Sequence, residues 1–586
     1  PEIIQDVLES AGMADGTDFE ISAQGSFPAH EYCVQYRETD FAFISRLMEE
    51  DGLFYFFEHT DSGHKLVVGN ATSHYPLIPG DAHLKFRAAG TGLTTELAEV
   101  RNLRFARSMS TGRVELRAWN FTKTDLDLKQ EKEAEAEANL EHYDYAGRYG
   151  DGDLGGARTA IRLEALRTRF KVLSGESNCR RMLPGHRFTV EEHARESMNG
   201  EYVLTRVSHS GAMSGSGGRE AYRNSFEAIP AEVLFRAPQI TPRGCVDGPQ
   251  TAIVTGPAGE EIHVDSHGRV KVQFHWDRYG ANDDKSSCWV RVSQMWAGGA
   301  YGALVIPRIG HEVIVDFLEG DPDQPIIVGR VYNGGNLVGY DLPADKTRTS
   351  LKSYSSPGGN GFNEMRFEDA AGSEEIFMHA QKDMNSKILN NRTTDIGTNH
   401  THTVGNNETM KVVKNRTRDV GGNENITIGG NHTESVAKNR SLSVDGAESI
   451  VIAKDESVSV EGGRSTSISK DDKLSIGAKQ VIDVGADSTE SISGKLTQTV
   501  TKSVELTYSD VSKISIGKDS SIEITGNSKQ KVGKAMKIEA GDEITIECGS
   551  AKIILKKNGD ITFEGGKINV KASSDLTLKG SKVAAN

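Results

Sequence analysis

The chain has 586 residues, a formal net charge of −15 and only 7% aromatic residues. That length allows several domains, and the acidic balance argues against a nucleic-acid binder, whose footprint would be basic. No apolar run is long enough to span a bilayer as a helix, and no secretory signal peptide is visible. The five cysteines, Cys33, Cys179, Cys245, Cys288 and Cys548, are scattered and odd in number. They form neither a disulfide framework nor a metal-ligand spacing, so synthesis in a reducing cytoplasm is expected.

The chain opens on Pro1 rather than Met, which points to upstream sequence that is absent. A helix is predicted near Ile3–Ser10, with Pro1 at its first helical position. Tyr32, Val34 and Tyr36 alternate as on a strand. Thr39 then reads as a cap for a helix over Asp40–Asp51, with Phe41, Ile44, Leu47 and Met48 on its apolar stripe and Gly52 stopping it. Leu53–Phe57 reads as a buried strand. Lys129–Glu141 reads as a charged helical or flexible stretch. A further helix is predicted over 156–173, carrying Ile161, Leu163, Leu166, Phe170 and Leu173.

Strands follow at Arg187–Val190 and Glu201–Val207, and Gly211–Gly218 reads as a solvent loop. Residues 250–335 hold five short strands, Arg269–Trp276, Cys288–Val292, Gly302–Pro307, His311–Leu318 and Pro325–Arg330, a spacing that suits a small OB-type barrel. Asp321-Pro322-Asp323 makes the last turn. These segments divide the chain into a mixed α/β base domain over 1–245, an OB-like barrel over 246–336, a neck over 337–385 and a repeat over 386–586.

The repeat is the strongest signal. Stepping by eight from Ile396 gives Val404, Val412, Val420, Ile428 and so on to Cys548, every tooth apolar or nearly so. A second comb lies two residues earlier and includes Met410, Ile426, Leu442, Ile450, Leu474 and Ile522. Gly follows the tooth in ten of twenty octets, as at Gly397, Gly421 and Gly533. Residues two apart share a strand face, so each octet is a short strand with two inward apolar side chains, ended by a corner that favours Gly. Solenoid repeats made by one chain take roughly 20–45 residues; eight suit one face of a triangular prism.

One chain would leave gaps between its own successive strands, and three intertwined chains would fill them. At ~4.8 Å per strand, twenty octets stack to a needle of ~100 Å. The polar composition after residue 381, where Tyr508 and Phe563 are the only aromatics, would by itself read as disorder; the unbroken register argues against that. The register is lost after Cys548 and resumes at Val570 and Leu578, so an irregular tip is expected.

Several separated motifs add a resemblance. They are Glu31–Asp40 with its trailing helix, Gly175-Glu176-Ser177-Asn178-Cys179-Arg180-Arg181, Val272–Asp277, Trp289–Gln294, Ile306–Val313, and Gly358–Glu364 with Phe367-Glu368-Asp369. In this order they resemble VgrG, the trimeric spike family of bacterial type VI secretion systems, itself related to the hub and needle of contractile phage tails. The resemblance implies a mainly β multidomain homotrimer: a mixed α/β hub, an OB-like barrel and a C-terminal triple-stranded intertwined β-helix. It also implies a first hub barrel that is incomplete here, because the family's usual chain begins well before Pro1.

The implied role is mechanical: a non-enzymatic spike tip, assembled in the cytoplasm, driven through a neighbouring membrane and injected. The implied partners are an Hcp tube at the hub base, a PAAR-repeat cap on the tip at Leu576, Leu578, Val583 and Ala584, toxic effectors on hub, needle or cap, and adaptor chaperones. Contact with the target membrane would be transient, and no nucleic acid is involved.

Catalytic motifs are missing where decoys stand. His311-Glu312 lacks a second His, since Val315 holds that position. Gly211–Gly215 lacks the nucleophile-elbow spacing, Gly334 and Gly339 precede Tyr340 rather than Lys, and Asp283-Asp284 reads as a solvated turn. The roughly fifty residues between Asn336 and Ile388 are too few for a two-carboxylate hydrolase. No cofactor is expected beyond an axial ion.

His402 lies on the inner comb and His400 has the same parity. Three-fold symmetry would bring three copies of each toward an axis, where imidazoles can ligate a divalent ion; the alternative is imidazoles bonded to water. Arg418, Glu434, Glu490, Gln498 and Gln530 also take inner positions, and waters or ions are expected beside them. Three rival readings remain at this point: a tail spike of a phage or phage-like particle, the structural part of a spike with a C-terminal effector enzyme outside this chain, and a surface adhesin.

Overall fold

The computed structural model describes residues 1–88, 97–145, 148–212 and 221–585. It divides into two compact units, 1–408 and 409–586. In the first unit, helix α1 (Glu2–Ser10) takes Pro1 as its cap rather than its first helical residue. Helix α2 (Asp40–Asp51) is capped as read: Thr39 Oγ1 accepts from the Ala42 N–H at 3.2 Å, and Gly52 closes the helix at φ 73°. The buried stripe of α2 is Phe43, Ile44, Leu47 and Met48, and Phe41 faces outward. Phe43 with Ile44 satisfies the same i, i+3, i+4 spacing that had pointed to Phe41.

Both helices pack on a three-stranded sheet of Phe19–Ile21, Gly63–Gly69 and Phe54–Thr60. The strand after Gly52 is not buried on both faces; Phe54 and Phe56 are buried while Tyr55 and Phe57 are half-exposed. A closed barrel follows, in the order Arg187–Glu191, Gly200–Ala212, Ala221–Pro230, Lys171–Ser177, Glu99–Arg107 and His83–Phe86. Its core holds Leu84, Val100, Leu173, Met182 and Phe188, all fully buried.

The Gly175–Arg181 motif is part of this barrel wall. A Cβ at Gly175 would meet Leu103 at 2.5 Å, and Ser177 Oγ donates to the Glu99 carbonyl at 2.7 Å while accepting from the Cys179 N–H at 2.9 Å. The loop expected over 211–218 falls mostly outside the described residues; Gly211 and Ala212 end a strand.

Two readings of the middle of this unit are corrected. Helix α3 spans Gly152–Arg167, and Leu173 sits in the barrel strand Lys171–Ser177 instead. The charged stretch after Leu128 is neither helical nor irregular at its start: Leu128–Glu133 pairs antiparallel with Arg113–Ala118, which also pairs with Glu141–Asp144. Its charges alternate with period two, so Lys129 reaches Glu115 at 2.9 Å and Arg113 reaches Glu131 at 2.9 Å across one face. Leu128, Val114 and Leu116 turn inward against α3.

The OB-like sheet runs in the order Lys271–Phe274, Gln250–Thr255, Glu312–Phe317, Pro325–Val331 and Arg291–Val292. A bridge between Val270 and Val290 joins its two ends. The predicted strand Gly302–Pro307 shrinks to a two-residue ladder of Tyr301–Gly302 on Ala297–Gly298. Beyond it the backbone pairs with side chains, as where the Val305 N–H donates to Gln294 Oε1 at 2.9 Å.

Burial pushes the Cys33 and Cys288 thiols up to about 12. Thiolate is therefore scarce at neutral pH, and iodoacetamide is expected to leave both unmodified until the chain is denatured. Peptide mass analysis with and without urea checks this; equal labelling in both conditions would contradict the packing.

Candidate functional site

Two candidate functional features stand out: a junction inside the first unit and the octet repeat. At the junction, residues 31–39 form no ladder, although their alternation holds. Val34 and Tyr36 are buried in the OB-like core, where Tyr36 meets Trp276 edge-on at 5.7 Å. At Val34 the backbone is satisfied by side chains instead of a neighbouring strand. The Val34 N–H donates to Asp323 Oδ1 at 2.7 Å, and its carbonyl accepts from Arg46 Nη2 at 3.0 Å.

Arg46 lies on α2, is almost wholly buried, and forks onto Glu38 at 2.8–3.1 Å. Arg243 gathers three carboxylates: Glu50 at 2.5 Å, Asp323 at 2.9 Å and Asp321 at 3.6 Å. Burial works against its charge, but the three acids outweigh that and raise its pKa. Arg148 adds a contact to Asp321 at 2.9 Å, and Arg158 one to Glu50 at 2.9 Å. Glu49 accepts from the Ile240 and Thr241 N–H groups at 3.0 Å. Helix α2, the extended 31–39 segment and the Asp321–Asp323 turn are thus held by one charge network beside a cavity of about 230 Å³. Sequence reasoning found Thr39, Gly52 and the Asp321–Asp323 turn but not this network.

The repeat shows its period directly. From 381–382 to 541–542 the backbone bends at two residues in every eight, immediately after each tooth, and no described residue between 381 and 541 pairs in a strand ladder of its own chain. The apolar residues are left open: Val404 is 42% exposed and Ile522 84%. The isolated chain exposes 45617 Å², about twice the ~20,000 Å² of a compact monomer of its mass. An extended backbone with unpaired N–H and C=O groups and a bare apolar comb is incomplete alone.

Of the three inner charges, Arg418 and Glu434 are partnered within the chain. Arg418 meets Glu424 at 2.6 Å and Glu434 meets Arg440 at 3.3 Å, each across a corner to a residue six further on. His402 stands in the same relation to Glu408 at 4.0 Å. His400 and His402 are both exposed, and no group of three or more His, Cys, Asp or Glu meets among the described residues of one chain. Leu576, Leu578, Val583 and Ala584 are exposed after a bend at 573–574, which returns in step with the comb. Before it, the comb gives way to an antiparallel sheet of Glu543–Cys548, Ala551–Lys556 and Ile561–Glu564. The register is lost here as expected, but into a regular sheet rather than an irregular tip, and the sheet begins while Ile546 and Cys548 still keep the eight-residue step.

Three family models match in the same order as these parts. Residues 1–215 match the phage tail baseplate hub (GPD), 252–332 the type VI secretion system/phage-baseplate injector OB domain, and 349–460 the bacteriophage T4 gp5 C-terminal trimerisation domain. The type VI secretion system spike protein VgrG4b of Pseudomonas aeruginosa is 40% identical over 423 residues, which cover 69% of this chain and 52% of that protein. This chain is a VgrG relative. VgrG5 of the same organism is 41% identical over 422 residues, covering 69% of this chain and 53% of that protein.

The actin cross-linking toxin VgrG1 of Vibrio cholerae is 39% identical over 422 residues, covering 69% of this chain and 37% of that protein. The chain spans about half the length of the Pseudomonas VgrG proteins it matches. Its fold is mainly β, with a hub, an OB-like barrel and a trimerisation repeat, and the homotrimer follows from the family. Among the described residues no helix is long and apolar enough to cross a membrane.

Proposed function

We propose that three copies of this chain form the spike tip of a type VI secretion system, which punctures target membranes and carries effectors on hub, needle or cap. The observation that carries this reading is the exposed comb, in step from 381 to 541, in a chain related to VgrG. Its bare strands match what two further copies would supply, and a closed three-chain shaft leaves no free edge along its length. The spike would assemble in the cytoplasm and leave with the contracting apparatus. Its hub would seat on an Hcp tube, and Leu576, Leu578, Val583 and Ala584 would meet a PAAR-repeat cap, with adaptors loading effectors.

In a strain whose apparatus lacks its own spike, this chain is expected to restore release of the tube protein. The purified chain should have a solution mass about three times 63.6 kDa. A folded monomer in solution would sink the reading. The match to an actin cross-linking toxin supports a variant of it, a spike whose effector enzyme lies outside this chain. The hub and gp5 matches keep a phage tail spike as the mechanical alternative.

His400 and His402, brought together three-fold, would hold one divalent ion. Their imidazoles supply neutral nitrogen donors suited to iron or zinc, and Glu408 beside His402 supports such a site. Elemental analysis of the trimer should find about one ion per three chains. The double substitution His400→Ala with His402→Ala should remove it, and metal that persists in that variant lies elsewhere.

A further inference from the structure

The three-stranded sheet that interrupts the comb is two-faced. Its register sets Ile544 opposite Leu555, Ile546 opposite Ile553, and Ile553 opposite Phe563. With Ile561 these side chains occupy one face, because residues two apart point the same way. The other face carries Glu543, Glu547, Lys552, Lys556 and Glu564, with Glu547 and Lys552 3.3 Å apart. No described residue of the chain covers the apolar face: Ile546 and Phe563 are more than half exposed. A sheet of this pattern needs a partner for its apolar side.

The neck contains the same device. Arg348–Tyr354, Phe362–Glu368 and Glu375–His379 form an antiparallel three-stranded sheet. Leu351, Met365, Phe367, Ile376 and Met378 share one face. The opposite face holds ion pairs such as Arg348–Glu368 at 2.9 Å and Arg366–Glu375 at 2.7 Å. Leu351, Ile376 and Met378 are again exposed in the single chain. Apart from Arg348, this neck sheet falls within residues 349–460, the stretch that matches a trimerisation domain. The distal sheet lies well beyond that match, yet the bend at 573–574 comes a whole number of octets after the one at 541–542.

We propose that residues 543–564 are a second trimer-forming surface, whose apolar face is closed by the same face of two other copies. This deepens the proposed spike and rests on its trimeric shaft. Its use follows from the repeat. A slip of one octet between chains would put every tooth on another tooth, so the comb alone specifies its register weakly. It would also leave a distal sheet without its counterparts. Sheets at both ends of the repeat therefore select the one pairing in which all three chains are level.

Cys548 ends the first strand on the apolar side, opposite Ala551, and reports on this face. In the native full-length protein its alkylation by iodoacetamide should be slower than in urea by about tenfold or more, read by peptide mass analysis. Ile553→Glu, on the apolar face, should abolish that protection while the mass stays at three chains. Ile554→Glu, the next residue on the opposite face, should keep it. Rapid labelling of Cys548 in a trimer of unchanged mass would overturn the inference and leave the spike reading standing, as would equal protection in the two variants. A monomeric mass would remove both.

Discussion

Ile452→Asp is expected to dissociate the trimer or to lower its melting temperature sharply, whereas Ser459→Asp should leave both unchanged. Ile452 is a tooth of the comb, flanked by Ile450 and Val458 on the second comb, in a stretch whose inner positions carry no charge. Three copies of the new carboxylate would face one another without a cation. An uncompensated buried charge costs about 3–5 kcal/mol per copy, so the trimer would lose about as much as a whole domain's stability. Ser459 lies between two inward residues and points out, where a surface substitution changes stability by about 0.5 kcal/mol or less. Light scattering and thermal melts of the two variants decide the matter. Equal behaviour would mean that the comb does not face inward.

Two of the three inner charges, Arg418 and Glu434, show how such a charge is accommodated and why Ile452→Asp should not be. Arg418 and Glu434 each reach an opposite charge six residues on, across a corner. The equivalent position for Ile452 is Val458, which offers nothing to a carboxylate. A pair formed within one chain neutralises an inner charge before three copies meet, so the three-fold repulsion is avoided.

The repeat was legible because its signal is local and redundant: each octet restates the same strand and corner, and the bends fall immediately after the teeth. Where the period persisted but the structure changed, reading failed. Ile546 and Cys548 keep the eight-residue step, yet they belong to an antiparallel sheet, because Gly549 turns the chain at φ 54° and Lys552–Lys556 returns alongside. In the hub, α2 was legible from Thr39 and Gly52, but its face slipped from Phe43 to Phe41 because both fit a helical stripe. The strand Leu128–Glu133 was missed because its inward residue is a single Leu128 and its charges suit either structure. The junction was beyond reach of any local pattern: Val34 and Asp323 are 289 residues apart, and no spacing rule joins them.

That junction yields the second large effect. Arg243→Ala should destabilise the first unit by about 3–5 kcal/mol, because Glu50, Asp321 and Asp323 would face one another without their shared cation. Arg169→Ala, which removes an exposed pair with Glu227, should cost about 1 kcal/mol or less. The effect should also depend on pH. Burial and then Asp321 push the Asp323 carboxyl above its ordinary value, while the Val34 N–H and Arg243 pull it down. A carboxyl raised in the folded state contributes its stability on the acid side and loses it as pH rises through the folded value. Without Arg243 that value rises further, so the variant's deficit should be small in acid, where Asp323 is protonated, and largest at neutral pH. Urea denaturation at both pH values measures it. A deficit equal to that of Arg169→Ala, or one indifferent to pH, would show that the network does not hold hub and barrel together.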